Sequence, residues 1–172
     1  MKFVKSSVSC LALLVLLFAS CKDEEEPQTT ATAEISGLNG NTVSGSANFV
    51  VAGDEVEMVL TLQGLTPGKH GVHLHTGTCG DDGSTIRTHW NPTAENHGQR
   101  GGASFHRGDV GNIEADENGS GTLTISAEDW TMSGAPMENI IGLLVVVHAG
   151  EDDYVSQPSG ESGEMIGCGI IQ

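Results

Sequence analysis

Glu55-Val-Glu-Met-Val-Leu-Thr-Leu-Gln63 has an apolar residue at every second position, and this period is the clearest indication of fold class in the chain. Successive side chains of a β-strand point to opposite faces, so the period places Val56, Met58, Leu60 and Leu62 on one face. Such a pattern is typical of an antiparallel sheet with one face buried and the other in water. The segment therefore predicts a half-buried antiparallel strand.

Similar short runs lie on both sides of this segment, at about residues 30–37, 42–52, 69–76 and 120–126. Asn-Gly dipeptides, which favour tight turns, occur at 39–40 and 118–119. Residues 140–147 are apolar apart from a single glycine, which suits a strand covered on both faces, and residues 165–172 can form a last strand. About seven or eight short strands with these turns predict an all-β antiparallel sandwich or barrel.

Composition and charge exclude two broad classes of protein. The chain has 172 residues, which suits one domain, and 24 of them are glycine, which argues against a bundle of long helices. The formal net charge is −16. Nucleic-acid binding requires a basic surface that displaces counterions, so no nucleic-acid partner is expected.

The first residues have the pattern of an export signal, with two lysines, an apolar run and small residues before Cys21. Leu17-Phe-Ala-Ser-Cys21 resembles the lipobox of bacterial lipoproteins, in which the cysteine carries a lipid; an ordinary secretory signal is the alternative. We assign 1–20 to the signal peptide, 21–33 to an acidic flexible tether and 34–172 to the domain. The acidic run at 22–26 is either a surface-sorting signal or a solvated spacer.

This interpretation places the chain in the bacterial cell envelope, held by a lipid on Cys21 and facing the periplasm or the outside. Cys10 then leaves with the signal, so Cys79 and Cys168 remain in an oxidising compartment. They are predicted to form a disulfide, with a free pair as the alternative.

The histidines indicate a metal site. All seven lie between positions 70 and 148, and His73 and His75 are two apart, so they project from the same strand face. Residues 76 to about 113 have no periodicity, and a loop of that length in a compact domain needs something to hold it. This stretch and the end of the apolar strand add five candidate ligands, His89, His97, His106, Asp109 and His148. Imidazole sets suit copper, and imidazoles with one carboxylate suit zinc.

Six segments carry a more specific resemblance: Gly71-Val-His-Leu-His75, His89-Trp-Asn-Pro92, His97-Gly98, His106-Arg-Gly-Asp-Val-Gly-Asn112, Val146-Val-His148 and Gly167-Cys-Gly169. In order and spacing, the chain from about residue 30 to residue 172 resembles the copper/zinc superoxide dismutase family. The resemblance implies an eight-stranded Greek-key barrel with a long metal-binding loop, held by zinc and by the disulfide.

Position by position, the resemblance implies copper ligands His73, His75, His89 and His148 and zinc ligands His89, His97, His106 and Asp109. It implies catalytic roles for His89 and His148, with His89 bridging both metals, releasing reduced copper and carrying a proton. Asp152 matches a carboxylate that links one copper ligand to one zinc ligand, and His70 matches a buried structural histidine. The substrate implied is superoxide, converted to oxygen and hydrogen peroxide, and a homodimer is possible.

One position departs from the family. The family usually has an arginine three residues before the second disulfide cysteine, where it attracts superoxide, and here that residue is Met165. The preceding loop, residues 151–164, contains five acids and no base. We therefore expect a reduced dismutase rate. Arg87 is either a substitute cation or a solvated loop charge. The alternative functions are a copper- or zinc-binding envelope lipoprotein with little dismutase activity, and a purely structural sandwich.

Overall fold

The computed structural model describes residues 29–172, and within this range it contains nine strands and no helix. The strands are β1 Thr30–Gly37, β2 Ser44–Ala52, β3 Glu55–Gln63, β4 Gly68–Gly77, β5 Ile86–His89, β6 Asp109–Ala115, β7 Gly121–Ala127, β8 Leu144–His148 and β9 Met165–Ile170. Among these residues there is accordingly no helix with the length and apolarity needed to cross a membrane. The predicted signal peptide, Cys21 and the acidic run lie outside the described residues.

All strand pairings are antiparallel, and they follow the order β5-β4-β8-β9-β1-β2-β3-β7. β6 pairs with β4 on the same edge as β5. The turn between β6 and β7, with a hydrogen bond from Asp116 N to Ser120 O, brings the two ends of the curled sheet side by side. The sheet therefore closes into a barrel. The paired strands β3 and β7, and likewise β4 and β8, are not consecutive in sequence, so their connections cross over as in a Greek key. The predicted all-β antiparallel barrel is confirmed.

The strand with the clearest period is β3, whose apolar residues Val56, Met58, Leu60 and Leu62 are at most 2% exposed. They pack in one core with apolar residues from the other barrel strands and with Phe49 and Trp130. Burying each large apolar side chain contributes about 1.5–3 kcal/mol, so the alternation seen in the sequence accounts for this half of the barrel.

Two expectations about element boundaries were wrong. β5 and most of β6 lie within residues 76–113, which we expected to have no strand, because both obtain their order from backbone pairing with β4 rather than from an apolar period. The assignment of 30–33 to the tether is also corrected, since β1 begins at Thr30. β1 agrees instead with the run predicted at about residues 30–37, and Ala31 and Ala33 are among its buried residues.

The loop before the short strand β5 is held against the barrel. Cys79, which follows β4, forms a disulfide with Cys168 in β9, as predicted, across a sequence separation of 89. Within the same group of side chains, Leu38, Leu144 and Val146 are buried beside the disulfide. The bridge thus attaches the segment leading into β5 to β9, which lies two places from β4 in the strand order.

Candidate metal centre

Three strands deliver four histidines to one place in the barrel wall. His73 and His75 share a face of β4, His89 ends β5 directly opposite His75, and His148 ends β8, which pairs with the other edge of β4. All four side chains are buried, with at most 5% exposure. The rings of His73 and His89 stack with centroids 3.9 Å apart.

These four histidines form the first cluster, since one ring nitrogen from each lies within 4.8 Å of the others. The four atoms concerned, His73 Nδ1, His75 Nε2, His89 Nε2 and His148 Nε2, are buried and have no hydrogen-bond partner among the described residues. Leaving a buried polar atom without a partner costs about 1–3 kcal/mol. Four such atoms facing one another fit a metal ion that prefers nitrogen ligands.

The opposite ring nitrogens of this cluster are held by hydrogen bonds. His75 Nδ1 donates to the carbonyl oxygen of Arg87 (2.7 Å), and His148 Nδ1 donates to the carbonyl oxygen of Gly163 (3.1 Å). His73 Nε2 donates to Asp152 Oδ2 (2.9 Å). These bonds select the tautomer in which the remaining nitrogen carries a free lone pair toward the cluster centre.

A second cluster surrounds one carboxylate oxygen, Asp109 Oδ1. The Nδ1 atoms of His89, His97 and His106 lie 2.9, 3.1 and 3.2 Å from it. The other oxygen, Asp109 Oδ2, accepts hydrogen bonds from the backbone N–H groups of Gly98 and His106, which fixes the carboxylate. Three imidazoles and one carboxylate are a ligand set that suits zinc.

The membership of the second cluster depends on which distances are compared. One group of four mutually close ligand atoms contains His73 with His89, His97 and Asp109, and it leaves out His106. We assign His106 to this cluster because its Nδ1 lies 3.2 Å from Asp109 Oδ1 and 3.3 Å from His89 Nδ1. His73 belongs to the first cluster, since its Nε2 is already bonded to Asp152.

Every predicted ligand is therefore brought to one of the two clusters, and His89 is common to both. Its Nδ1 faces Asp109 in the second cluster, while its Nε2 is one of the unpartnered atoms of the first. Imidazole offers two opposed nitrogens, so His89 can contact two ions at once.

Asp152 connects the two clusters from behind. It is fully buried, and its two oxygens accept hydrogen bonds from His73 Nε2 and His97 Nε2, each at 2.9 Å. Asn112 holds the backbone of Asp152 on both sides, accepting from its N–H (2.8 Å) and donating to its carbonyl oxygen (2.9 Å). The carboxylate is therefore oriented before any metal binds.

Sequence reasoning missed two supporting residues. Asn112 closes the quoted segment that starts at His106, so its place in that segment was the available signal. Gly160 had no signal: a Cβ there would lie 1.9 Å from Asp152 Oδ1 and 2.7 Å from His97 Nε2, and its φ is +73°. Glycine is therefore required at 160 by close packing and by backbone conformation. His70, the remaining histidine, lies outside both clusters, with ring nitrogens 2.8 Å from the carbonyl oxygens of His148 and Thr66.

The electrostatics of the first cluster favour neutral ligands. Burial lowers the pKa of His73 to about 4 and that of His148 to about 3. Burial also holds the pKa of His75 well below its ordinary value. All three rings are therefore neutral at pH 7, the state in which imidazole binds a metal.

The second cluster has the opposite character. Burial disfavours a charge on His97, but the hydrogen bonds and negative charges of Asp109 and Asp152 outweigh it and raise the pKa of His97 to about 9. Burial likewise opposes the charge on each carboxylate, yet hydrogen bonds from the surrounding histidines hold the pKa of Asp109 and Asp152 well below the usual range. In the metal-free chain, a protonated His97 between two carboxylates therefore supplies the positive charge that a cation would supply.

A cavity of about 700 Å³ gives access to the first cluster. Its lining includes His75, His89 and His148, and also Arg87 and Met165. Met165, the first residue of β9, stands opposite His148 in the β8–β9 register. The residue singled out in the sequence three positions before Cys168 thus lies at the cavity, and its side chain is a thioether.

The comparisons with known proteins agree with this geometry. A family model described as copper/zinc superoxide dismutase matches residues 43–171. The "Superoxide dismutase [Cu-Zn]" of Onchocerca volvulus is 35% identical over 153 residues, which cover 82% of this chain and 96% of the relative. The "Extracellular superoxide dismutase [Cu-Zn]" of Haemonchus contortus is 33% identical over 144 residues, covering 80% of this chain and 78% of the relative.

Two further matches extend the range of relatives. The "Copper chaperone for superoxide dismutase" of Rattus norvegicus is 36% identical over 148 residues, which are 81% of this chain but 52% of the chaperone. The solved structure of the clock protein EA4 superposes with a TM-score of 0.75 at 31% identity, covering 84% of this chain and 94% of that one. The family and the two histidine clusters together support copper and zinc as the cofactors. With a family model matching residues 43–171 and relatives above 30% identity over four fifths of its length, the chain belongs to the copper/zinc superoxide dismutase family.

Proposed function

We propose that the chain is a dismutase that converts superoxide to oxygen and hydrogen peroxide, at a rate reduced by Met165. The observation that carries the proposal is His89, whose two nitrogens face two adjacent ligand clusters beside an open cavity. A purely structural sandwich would not bury four unpartnered imidazole nitrogens against one another, because each would lower stability without a metal.

Each cluster fits one of the two cofactors. The all-nitrogen first cluster would hold copper through His73, His75, His89 and His148, and the second would hold zinc through His89, His97, His106 and Asp109. Copper supplies one-electron redox chemistry when bound, oxidising one superoxide and reducing the next. Asp152 orients one ring of each set and, by bonding to both rings, fixes the position of one cluster relative to the other.

The remaining chemistry belongs to the chain. Reduction of superoxide to hydrogen peroxide consumes two protons, and His89 Nε2 is the ring atom that can hold one of them next to the substrate. His89 Nδ1 stays in the second cluster, so the ring keeps its orientation while Nε2 changes partner. His148 limits the cavity on the other side, with its Nδ1 held by Gly163.

The proposal is tested by measuring metal content and dismutation on the same purified protein. We expect one copper and one zinc per chain. With a chelator present to bind any copper released from the protein, superoxide should still be consumed faster than by the same amount of copper without the protein. A fully loaded protein whose superoxide consumption equals that of the metal-free protein would contradict the proposal.

A second candidate function is copper or zinc binding at the envelope with little turnover. It is favoured by Met165, which removes a cation from the cavity, and by the similarity to a copper chaperone. The two candidates differ in one measurement, since a dismutase shows turnover that falls with salt, whereas a binding protein shows tight metal affinity without turnover.

Zinc affinity should depend steeply on pH. Because the pKa of His97 is raised to about 9 and Nδ1 must be free to bind, each zinc ion displaces about one proton at pH 7.5. Protons compete with zinc, so the logarithm of the association constant should rise by about one per pH unit from pH 7 to 9 and then level off. Chelator competition across this pH range measures the slope.

The variant that tests the cause is Asp152→Asn, which removes one of the two negative charges that hold the proton on His97. The pH at which the slope levels off should then move below 9. A wild-type slope near zero would show that His97 is already neutral and would contradict the prediction.

We further propose that the chain is anchored in a bacterial envelope by a lipid on Cys21, periplasmic or surface-exposed. The support is the resemblance of Leu17–Cys21 to a lipobox within an export signal. Expression with a labelled fatty acid should label the wild-type protein in the membrane fraction. Cys21→Ala should be unlabelled, and equal labelling of both would contradict the anchor.

A further inference from the structure

Superoxide must approach a protein of formal charge −16 through a cavity whose usual cation is absent. Long-range repulsion slows the encounter of an anion with an acidic protein, and a local positive potential in a cleft can raise association rates by about 10–10³. The following inference rests on the proposed function, and it concerns the group that supplies this potential.

The part of the chain from residue 29 to residue 172 contains four Lys or Arg side chains, and three of them are neutralised by ion pairs. Lys69 pairs with Glu151 at 2.8 Å, Arg100 with Asp129 at 2.6 Å, and Arg107 with Glu138 at 3.6 Å. The guanidinium groups of Arg100 and Arg107 also donate to backbone carbonyl oxygens. None of these three residues lines the cavity at the first cluster.

Arg87 differs from the other three in both respects. Its side chain is exposed and makes no hydrogen bond or ion pair with any described residue, and it lines the cavity together with His75, His89 and His148. Arg87 stands two positions before His89 on β5, so the two residues share a strand face. Because it forms no ion pair, this cation contributes to the potential at the cavity.

The backbone around Arg87 is well defined. Its carbonyl oxygen accepts the hydrogen bond from His75 Nδ1 at 2.7 Å, which ties β5 to a ligand of the first cluster. The disulfide of Cys79 restrains the segment that leads into β5. The guanidinium of Arg87 is therefore carried by the same short strand as His89, and the backbone of that strand is held by a hydrogen bond.

One acidic residue at the cavity opposes the charge of Arg87. Glu164 is exposed and also lines the cavity, next to Met165, so the potential there is a balance between one guanidinium and one carboxylate. In water-filled clefts such charges act over about 10 Å at 0.1 M salt. Removing the guanidinium would leave the carboxylate as the nearest charge and make the entrance repel anions.

We infer that Arg87 is the residue that attracts the anionic substrate to the cavity, from a different strand than the family's usual arginine. It acts on small monovalent anions in general, because an exposed guanidinium offers charge and paired N–H donors without a shaped pocket.

The test compares Arg87→Gln, Arg87→Lys and the control Lys69→Gln, which makes the same change of net charge away from the cavity. Two readouts are taken on the copper- and zinc-loaded proteins: kcat/KM for superoxide as a function of ionic strength, and the dissociation constant of azide from the copper absorption spectrum. Metal content is measured for each variant, so that a changed site is recognised.

We expect Arg87→Gln to lower kcat/KM about fivefold at low salt, to weaken azide binding by a similar factor and to reduce the salt dependence. Arg87→Lys should retain most of both properties, and Lys69→Gln should change either by less than about twofold. Equal azide affinity in Arg87→Gln and Lys69→Gln overturns the inference even if the wild type dismutes superoxide. If the wild type shows no turnover but Arg87→Gln binds azide more weakly than the wild type does, the proposed function is refuted and the inference stands.

Discussion

Replacing Cys79 and Cys168 together by alanine should lower the free energy of unfolding of the metal-free protein by about 4–5 kcal/mol. The disulfide spans 89 residues, and in the chain-entropy model a closed loop of that length removes this amount of free energy from the unfolded ensemble. Alanine is preferred to serine because Cys168 is 3% exposed and a hydroxyl there would need a partner. Urea denaturation of oxidised wild type and double variant measures the difference.

The control is the wild-type protein reduced by a phosphine, which should lose a similar amount without any substitution. A loss of less than about 1 kcal/mol in both would contradict the prediction and show that the unfolded chain is restricted by something else. The segment 78–85 and strand β5 should also become accessible to protease in the variant, because the disulfide restrains that segment.

Met165→Arg should raise kcat/KM for superoxide about tenfold at low ionic strength. Met165 lines the cavity opposite His148, where Arg87 and Glu164 balance each other, so an added guanidinium makes the local charge positive. The gain should shrink as salt is added, because the Debye length falls from about 30 Å at 0.01 M to about 10 Å at 0.1 M. Stopped-flow decay of superoxide over this range gives both values.

Met137→Arg is the matched control, since Met137 is 54% exposed, is not among the residues lining the cavity and receives the same charge. It should change kcat/KM by less than about twofold. An unchanged rate in Met165→Arg would mean that the missing arginine does not limit this protein. The double variant Met165→Arg with Arg87→Gln measures how far a guanidinium at position 165 replaces the one at position 87.

The barrel could be predicted to the extent that its strands are amphipathic. β3 is found at the predicted residues because Val56 to Leu62 bury one face, a local pattern that needs no knowledge of neighbours. β5 and β6 could not be found in this way, because β5 has one apolar residue, Val110 and Ile113 of β6 are three apart, and the order of both strands comes from pairing with β4. β1 matches the run predicted at about residues 30–37, although the domain boundary was placed at 34.

The resemblance in motifs and their order named the residues that the structure brings together in the two clusters. It could not say which ring nitrogen faces which cluster, because that depends on partners far away in sequence. His73 Nε2 is held by Asp152, 79 residues later, and this bond leaves Nδ1 for the first cluster. The requirement for glycine at 160 arises likewise from contact with two side chains that meet only in the folded barrel.

The sequence by itself determined the strand-rich class, the cysteine pair and the set of nitrogen and carboxylate groups, since these depend on local period, composition and residue type. Only the tertiary structure decided that His89 lies between two clusters and that Arg87, alone among the Lys and Arg residues of 29–172, lines the cavity and forms no ion pair. The physical reason is that electrostatic and coordination interactions depend on distances of a few ångströms between residues that chain order separates by tens of positions.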